Sequence, residues 1–294
     1  MMKRVVILGS TGMLGHMVLK VFSGQTSLHV AGTHIEDSTD PFYFNVESGM
    51  DGLMRLFAFT GAPDYVINCI GVLKGAIDPA NAESVLRAAR INAVFPHQLA
   101  AVALKRDFRA IQISTDGVFA GNREFYVEDA PHDCPDIYGK TKSLGEVTLC
   151  DGFLNLRCSI IGPSPMQKMG LVEWLLGQPD GAQVSGFTNQ IWNGVSTVQF
   201  AKLCLNIIKQ DHFDVLRSES AVFHFAPNEP VSKYQLLCLI RDKFHRNIRI
   251  VPAESGSHEL RWVLKTKYHG LKTLFPWGIE PKDMVAELYA YANK

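Results

Sequence analysis

Tyr138 and Lys142 stand four residues apart in Tyr138-Gly139-Lys140-Thr141-Lys142, directly after the helix-start signal Pro135-Asp136. On a helix that spacing puts both side chains on one face. An ammonium beside a phenol favours phenolate and lowers a tyrosine pKa from about 10 towards the range useful for proton transfer. A second Tyr-x-x-x-Lys, at Tyr268 and Lys272, contains Gly270, is soon followed by Pro276 and has no cofactor-type strand before it, so it reads as accidental. Upstream, Ser114-Thr115-Asp116-Gly117 ends an apolar run. Hydroxyl and carboxyl groups at the carboxyl end of a strand in an open parallel sheet are poised for chemistry, although the same residues also suit an ordinary turn.

The N-terminus offers a second candidate site. The apolar run Val5-Val6-Ile7-Leu8 leads into Gly9-Ser10-Thr11-Gly12-Met13-Leu14-Gly15, and an apolar stripe follows at Leu14, Val18, Val21 and Phe22. The run reads as a strand buried on both faces and the stripe as one face of a helix. In the turn between them Gly9 permits a tight bend, Gly12 lets backbone N–H groups approach a pyrophosphate, and Gly15 allows close packing of helix on strand. Thr11, Met13 and Leu14 belong to the same expected dinucleotide site.

The elements that position these groups can be taken in order. Leu28 to Thr33 reads as a second strand and Phe42 to Val46 as a short third one, with Asn45 and Val46 expected at the cofactor. The second strand ends Gly32-Thr33-His34 without an acid, which leans towards NADPH, with NADH possible and Thr33 or His34 as phosphate partners. Glu36 and Asp37 follow closely and no arginine does, so His34 reads equally well as a surface loop residue. Asp51 to Thr60 is a helix, and Tyr65 to Cys69 a strand that ends at Ile70-Gly71, where Cys69, Ile70 and Gly71 are further expected cofactor contacts. A loop with Lys74, a candidate substrate contact, leads to Asn81 as the cap of a long helix towards Lys105, with Asn92 inside it.

Leu154 to Ile161 is a later strand, followed by a Pro-, Gly- and Met-rich stretch to about Gly186 that leaves the first domain, periodic only over Leu171 to Leu176. Asn189 to Thr197 is polar and aromatic, a composition suited to holding a sugar and equally to a surface loop. Thr197 to Lys209 reads as a helix, Val222 to Ala226 as a strand, and Ser232 with Gln235 as a capping box for a helix from Tyr234 to Phe244. A strand at Ile248 to Val251 and a helix around Met284, Leu288 and Tyr291 complete the pattern. The fold class is α/β: a Rossmann-type doubly wound parallel sheet with a smaller C-terminal α/β substrate domain. Residues 1–162, rejoined by 188–228, form the NAD(P)-binding part, and 163–187 with 229–294 the substrate part.

Composition narrows the function classes. The 294 residues hold 29 Lys and Arg against 29 Asp and Glu, a net charge of zero with no long run of one sign, so a nucleic-acid surface is not expected. Met-Met-Lys-Arg leads straight into a strand and no apolar run reaches membrane-spanning length, so the expected setting is the cytoplasm, without a membrane partner. Cys69, Cys134, Cys150, Cys158, Cys204 and Cys238 form no Cys-x-x-Cys pair and read as small buried hydrophobes, and no histidine spacing implies a metal.

Taken together, Gly9/Gly12/Gly15, Ser114-Thr115-Asp116 and Tyr138/Lys142 resemble the extended short-chain dehydrogenase/reductases. Ser-Thr-Asp-Gly-Val-Phe-Ala-Gly, Tyr-Gly-Lys-Thr-Lys-Ser-Leu-Gly-Glu and Asn-Gln-Ile-Trp-Asn-Gly look like the dTDP-4-dehydrorhamnose reductase branch, from the first strand to about Leu205. The resemblance implies Tyr138 as proton donor, Lys142 on the nicotinamide ribose, Thr115 orienting the substrate carbonyl and Asn92 supporting the site. It also places Asp116, Gly117, Ser159, Gln190, Trp192 and Thr197 towards a nucleotide-linked keto-deoxysugar, in an enzyme that could form a homodimer. Two positions depart from the pattern. Gly117 stands where the rhamnose enzymes usually carry tyrosine and the sugar 4,6-dehydratases glutamate, which disfavours elimination. Met17 stands where magnesium-binding relatives have glutamate, so no metal is carried over. A nucleotide-sugar epimerase with retained NAD, and a regulatory subunit of the methionine adenosyltransferase type, are the competing readings.

Overall fold

Val5, Val6, Ile7 and Leu8 are almost wholly buried, so β1 (Lys3–Leu8) is covered on both faces, as its unbroken apolar run requires. Val5 and Ile7 enter one hydrophobic core and Val6 and Leu8 the other, the alternation a strand imposes. The computed structural model describes residues 2–166, 168–256 and 258–293. After β1 come α1 (Met13–Ser23), β2 (Leu28–Gly32), α2 (Asp51–Thr60), β3 (Tyr65–Asn68), α3 (Ala82–Ala88), α4 (Phe95–Arg106), β4 (Arg109–Thr115), α5 (Ile137–Leu144) and β5 (Phe153–Cys158). The chain continues through β6 (Ile160–Ile161), α6 (Leu171–Leu176), β7 (Gln183–Phe187), β8 (Gln190–Trp192), β9 (Val195–Ser196), α7 (Thr197–Lys209), α8 (Phe213–Glu219) and β10 (Val222–His224). It ends with β11 (Val231–Ser232), α9 (Lys233–Lys243), β12 (Arg249–Ala253), β13 (Leu260–Trp262), α10 (Gly270–Leu274) and α11 (Pro281–Ala292).

The central sheet runs β10-β5-β4-β3-β1-β2 with every pair parallel. Strand order reverses at β1, so the crevice beyond the carboxyl ends of β1 and β3 is the topological switch point, where open α/β sheets bind ligands. The glycine loop lies at one lip of that crevice and Cys69-Ile70-Gly71 at the other. The capping box at Ser232 and Gln235 is made in both directions, and α9 starts at Lys233. Among the described residues no helix is long and apolar enough to cross a membrane.

One expected strand is absent and two other segments are more elaborate than their patterns, for identifiable reasons. Phe42 to Val46 is no strand: it meets β2's continuation only at a His34–Tyr43 bridge, while the Asp40 side chain takes Phe42 N and the Asn45 side chain caps a tight turn over Val46–Ser48. The long helix capped by Asn81 does run unbroken to Arg106, but it contains a wide π-type turn over Ala89–Val94. Pro96 has no N–H to give the Asn92 carbonyl four residues back, so the ladder opens there. The segment 189–197 is not a surface loop. It forms β8 and β9, with Trp192 in the main core and its ring packed across Gly194.

Candidate active site

Gly9 has φ +75°, a conformation that favours glycine, and a Cβ there would lie 2.9 Å from Ile70 Cγ1. A Cβ on Gly15 would stand 2.1 Å from the Gly9 carbonyl oxygen, so only glycine lets α1 sit this close to the loop. Thr33 fastens the loop from behind: its hydroxyl accepts from Gly9 N at 2.9 Å, and its carbonyl accepts from Ser10 Oγ at 2.9 Å. Thr33 is therefore a buried brace and not a free phosphate partner, a correction to the reading of β2's end. Gly12 caps α1 without a side chain and the first turn has no acid, which leaves that helix end fit for an anion such as a pyrophosphate. Thr11 and Met13 line this end half-buried, while Leu14 turns into the core.

At the other lip, Ile70 N donates to the Asn68 side chain and Cys69 is a half-buried thiol whose pKa burial pushes up. Gly71 lies close to Asn92, whose Oδ1 would be 3.4 Å from a Cβ there. Asn92 is not aimed at a ligand. Its Oδ1 accepts from Val72 N at 2.8 Å, and its Nδ2 donates to Val72 O at 3.0 Å and Thr141 Oγ1 at 3.3 Å. It thus pins the β3 loop to α5, the helix that carries Tyr138 and Lys142. The opened turn that holds Asn92 leaves its carbonyl against Gly145, where a Cβ would stand 1.9 Å away.

Thr115 and Tyr138 meet at the carboxyl end of β4, both side chains lying against Gly117. Thr115 Oγ1 also accepts from Gly117 N at 3.0 Å and donates to Asp116 Oδ1 at 3.2 Å. Gly117 makes room for this group: a Cβ would be 2.9 Å from Tyr138 Cε1 and 3.2 Å from Thr115 Oγ1. Helix α5 is capped by Asp136, which accepts from Gly139 N at 2.8 Å and pairs with Lys74 at 2.7 Å. The expected depression of the Tyr138 pKa is overturned. Burial pushes it up to about 12, opposed by the Thr115 hydrogen bond. Burial lowers Lys142 from 10.5 to about 8, and its Nζ donates to the Ile113 carbonyl at 2.9 Å. A charge placed among apolar groups is disfavoured for both residues, so the two values move in opposite directions to keep each neutral.

Asp116 is buried, and that burial lifts its pKa from 3.8 to about 6 against hydrogen bonds from Ser159 and Thr115 and the attraction of Lys233. Ser159 is thereby brought to the site. Gln190 donates to Ser255 Oγ at 2.6 Å and Thr197 is enclosed beside Gly162, so both are built into the wall. Gln190 Oε1 and Thr197 Oγ1 have no hydrogen-bond partner among the described residues. Lys233, first residue of α9, is the site residue that reading the sequence missed. It couples electrostatically to Asp116 and Lys74 and stands 6.0 Å from the Trp262 ring. The only local signal was the capping box before it, which announces a helix and says nothing about a cleft. A second missed group lies behind β4, where Glu146 holds Arg157 Nε and Nη2 at 2.6 Å each and accepts from Ser114 Oγ at 2.5 Å. Met17, the position without a metal ligand, is in the core.

A parallel sheet with a glycine loop at its switch point and an adjacent Thr/Tyr pair at the end of β4 defines a Rossmann-type protein of the dehydrogenase/reductase build. The family model described as RmlD substrate binding domain matches residues 2–261, and the chain belongs to that family. Among curated relatives, methionine adenosyltransferase 2 subunit beta of Xenopus laevis is 28% identical over 253 residues, 83% of this chain and 72% of that protein. A dTDP-4-keto-6-deoxy-D-glucose reductase of Streptomyces niveus is 30% identical over 154 residues, 51% of this chain and 49% of that protein. Among solved structures, a dTDP-4-dehydrorhamnose reductase from Clostridium acetobutylicum superposes with a TM-score of 0.75 at 23% identity, covering 99% of this chain and 100% of that one.

Proposed function

We propose that this chain is an NAD(P)-dependent oxidoreductase that reduces the keto group of a nucleotide-activated deoxysugar, in deoxysugar or cell-surface polysaccharide biosynthesis. The observation that carries the reading is the convergence of the Thr115 hydroxyl and the Tyr138 ring on Gly117 at the end of β4, two strands from the glycine loop. The loop's glycines and the uncapped end of α1 fit a dinucleotide, which when bound supplies the hydride. Tyr138 keeps its proton through the neutral range and gives it to the substrate's keto oxygen. Thr115 Oγ1 hydrogen-bonds the same oxygen as charge develops there. Lys142, one turn along α5, offers positive charge to the phenolate left behind, and reaches it or a ribose by swinging its unbranched side chain off Ile113 O.

Residues 163–187 and 229–294 act in this reading as the substrate-binding part, bringing Lys233 over Asp116. Gln190, at the edge of the wall, keeps a buried Oε1 without a partner among the described residues that a sugar hydroxyl would satisfy. Gly117 supplies no second acid/base group, which favours simple reduction over elimination. The six free cysteines accord with a cytoplasmic setting, and a homodimer is the assembly to look for by sedimentation.

The test is oxidation of NADH and NADPH by purified protein given dTDP- and UDP-linked 4-keto-6-deoxysugars, with product identification. Turnover that drops about 10²–10⁴-fold in folded Tyr138→Phe is expected, and retention of most activity in that variant would refute the role of Tyr138. The similarity to methionine adenosyltransferase 2 subunit beta favours a second, regulatory reading. Dinucleotide binding without turnover on any keto sugar would move the assignment there, and NAD retained through purification would move it to an epimerase.

A further inference from the structure

No acid stands where β2 ends, yet the chain folds two carboxylates back onto that position. Glu36 Oε2 stands 3.2 Å from His34 Nδ1 and Asp40 Oδ1 3.4 Å from His34 Nε2. Both carboxylates are held by backbone: Ile35 N donates to Glu36 Oε2 at 3.0 Å and Phe42 N to Asp40 Oδ1 at 2.7 Å. Asp37 stands in the same loop, its carboxyl held below the usual range by hydrogen bonds from Thr39. Residues 33–45 contain no lysine or arginine. The Thr33 hydroxyl is taken by Gly9 N, and Arg87, which reaches the following turn, is paired with Glu47 at 3.0 Å.

The end of the second strand is where a Rossmann site meets the adenosine ribose, and an acid there accepts hydrogen bonds from a ribose diol. A 2′-phosphate brings up to nearly two negative charges and requires cationic donors. From these facts we propose that the chain selects NADH over NADPH, with Glu36 and Asp40 as the specificity-determining residues around His34. The proposal rests on the dinucleotide reading of the glycine loop. Glu36 and Asp40 accept from the ribose hydroxyls of NADH and repel the 2′-phosphate of NADPH. His34 is the loop's sole group able to carry positive charge, and both its ring nitrogens already face carboxylates.

Equilibrium titration of the wild-type protein with NADH and with NADPH, read by nicotinamide fluorescence and calorimetry without substrate, tests this. The expected result is NADH bound at least about tenfold more tightly, a gap that narrows as salt screens the repulsion. In Glu36→Gln/Asp40→Asn the gap should shrink, mainly through tighter NADPH. Both positions are at or near the surface, and a thermal melt checks that the variant is folded. NADPH binding as tight as NADH in the wild type, or a gap unchanged in the folded variant, would overturn the selectivity proposal and leave the dinucleotide site standing. Binding of neither dinucleotide would overturn both.

Discussion

Replacing Asp116 by asparagine should stabilise the protein. The carboxylate sits buried between Thr115, Ser159 and Tyr138, and its pKa rises from 3.8 to about 6 because burial outweighs its hydrogen bonds and the attraction of Lys233. A folded-state value above the ordinary one means that ionisation destabilises the fold as pH rises from about 4 to 6, with the full cost present above that window. A shift of roughly two units corresponds to about 3 kcal/mol at pH 7.5. Asparagine keeps the shape and an acceptor oxygen while removing the charge. Urea unfolding should therefore show Asp116→Asn more stable than wild type by up to about 3 kcal/mol at pH 7.5, and by under about 1 kcal/mol at pH 4. The difference between the two pH values isolates ionisation from any change in packing. A stability change that does not depend on pH would refute the reasoning. A carboxylate retained at such a cost marks a group kept for binding or chemistry, and the substitution should weaken substrate handling while it strengthens the fold.

Three more outcomes follow from the geometry. Reduction should decline as pH rises through about 8, where Lys142 loses its charge, while Tyr138 with a pKa of about 12 keeps its proton; a pH profile of kcat/KM whose alkaline limb moves up in Lys142→Arg would bear this out. The same depressed value adds stability as pH climbs from about 8 to 10.5, since the unfolded chain binds the proton more tightly there. Gly15→Ala places a methyl 2.1 Å from the Gly9 carbonyl, a backbone atom that cannot step aside, so the variant should lose about 1–3 kcal/mol in urea unfolding and the thermal shift given by NADH.

The local pattern of residues was enough for the strand, glycine turn and helix from Val5 to Phe22, for α2, α7 and the Ser232 capping box, and for setting Thr115 at the end of a strand and Tyr138 with Lys142 on one helix. Those features rest on periodicity, caps and glycines, which act within a few residues of chain. Short elements such as α8, α10 and β13 carry too few residues to display a period. Other properties depended on groups far apart in sequence and close in space. Lys233, on α9, acts electrostatically on Asp116 at the end of β4, and Asn92 pins Val72 to Thr141 through an opening that Pro96 forces and Gly145 fills. One-turn spacing to Lys142 is visible in the chain and argues for a lowered Tyr138 pKa, whereas the burial that raises it is not visible there. In the same way Glu36 and Asp40 look like ordinary loop acids until Phe42 N and Ile35 N fix them against His34. Residue order therefore determined the scaffold and the chemical groups on it. Burial and long-range hydrogen bonds, which only tertiary packing creates, decided their charge, their orientation and the cofactor they suit.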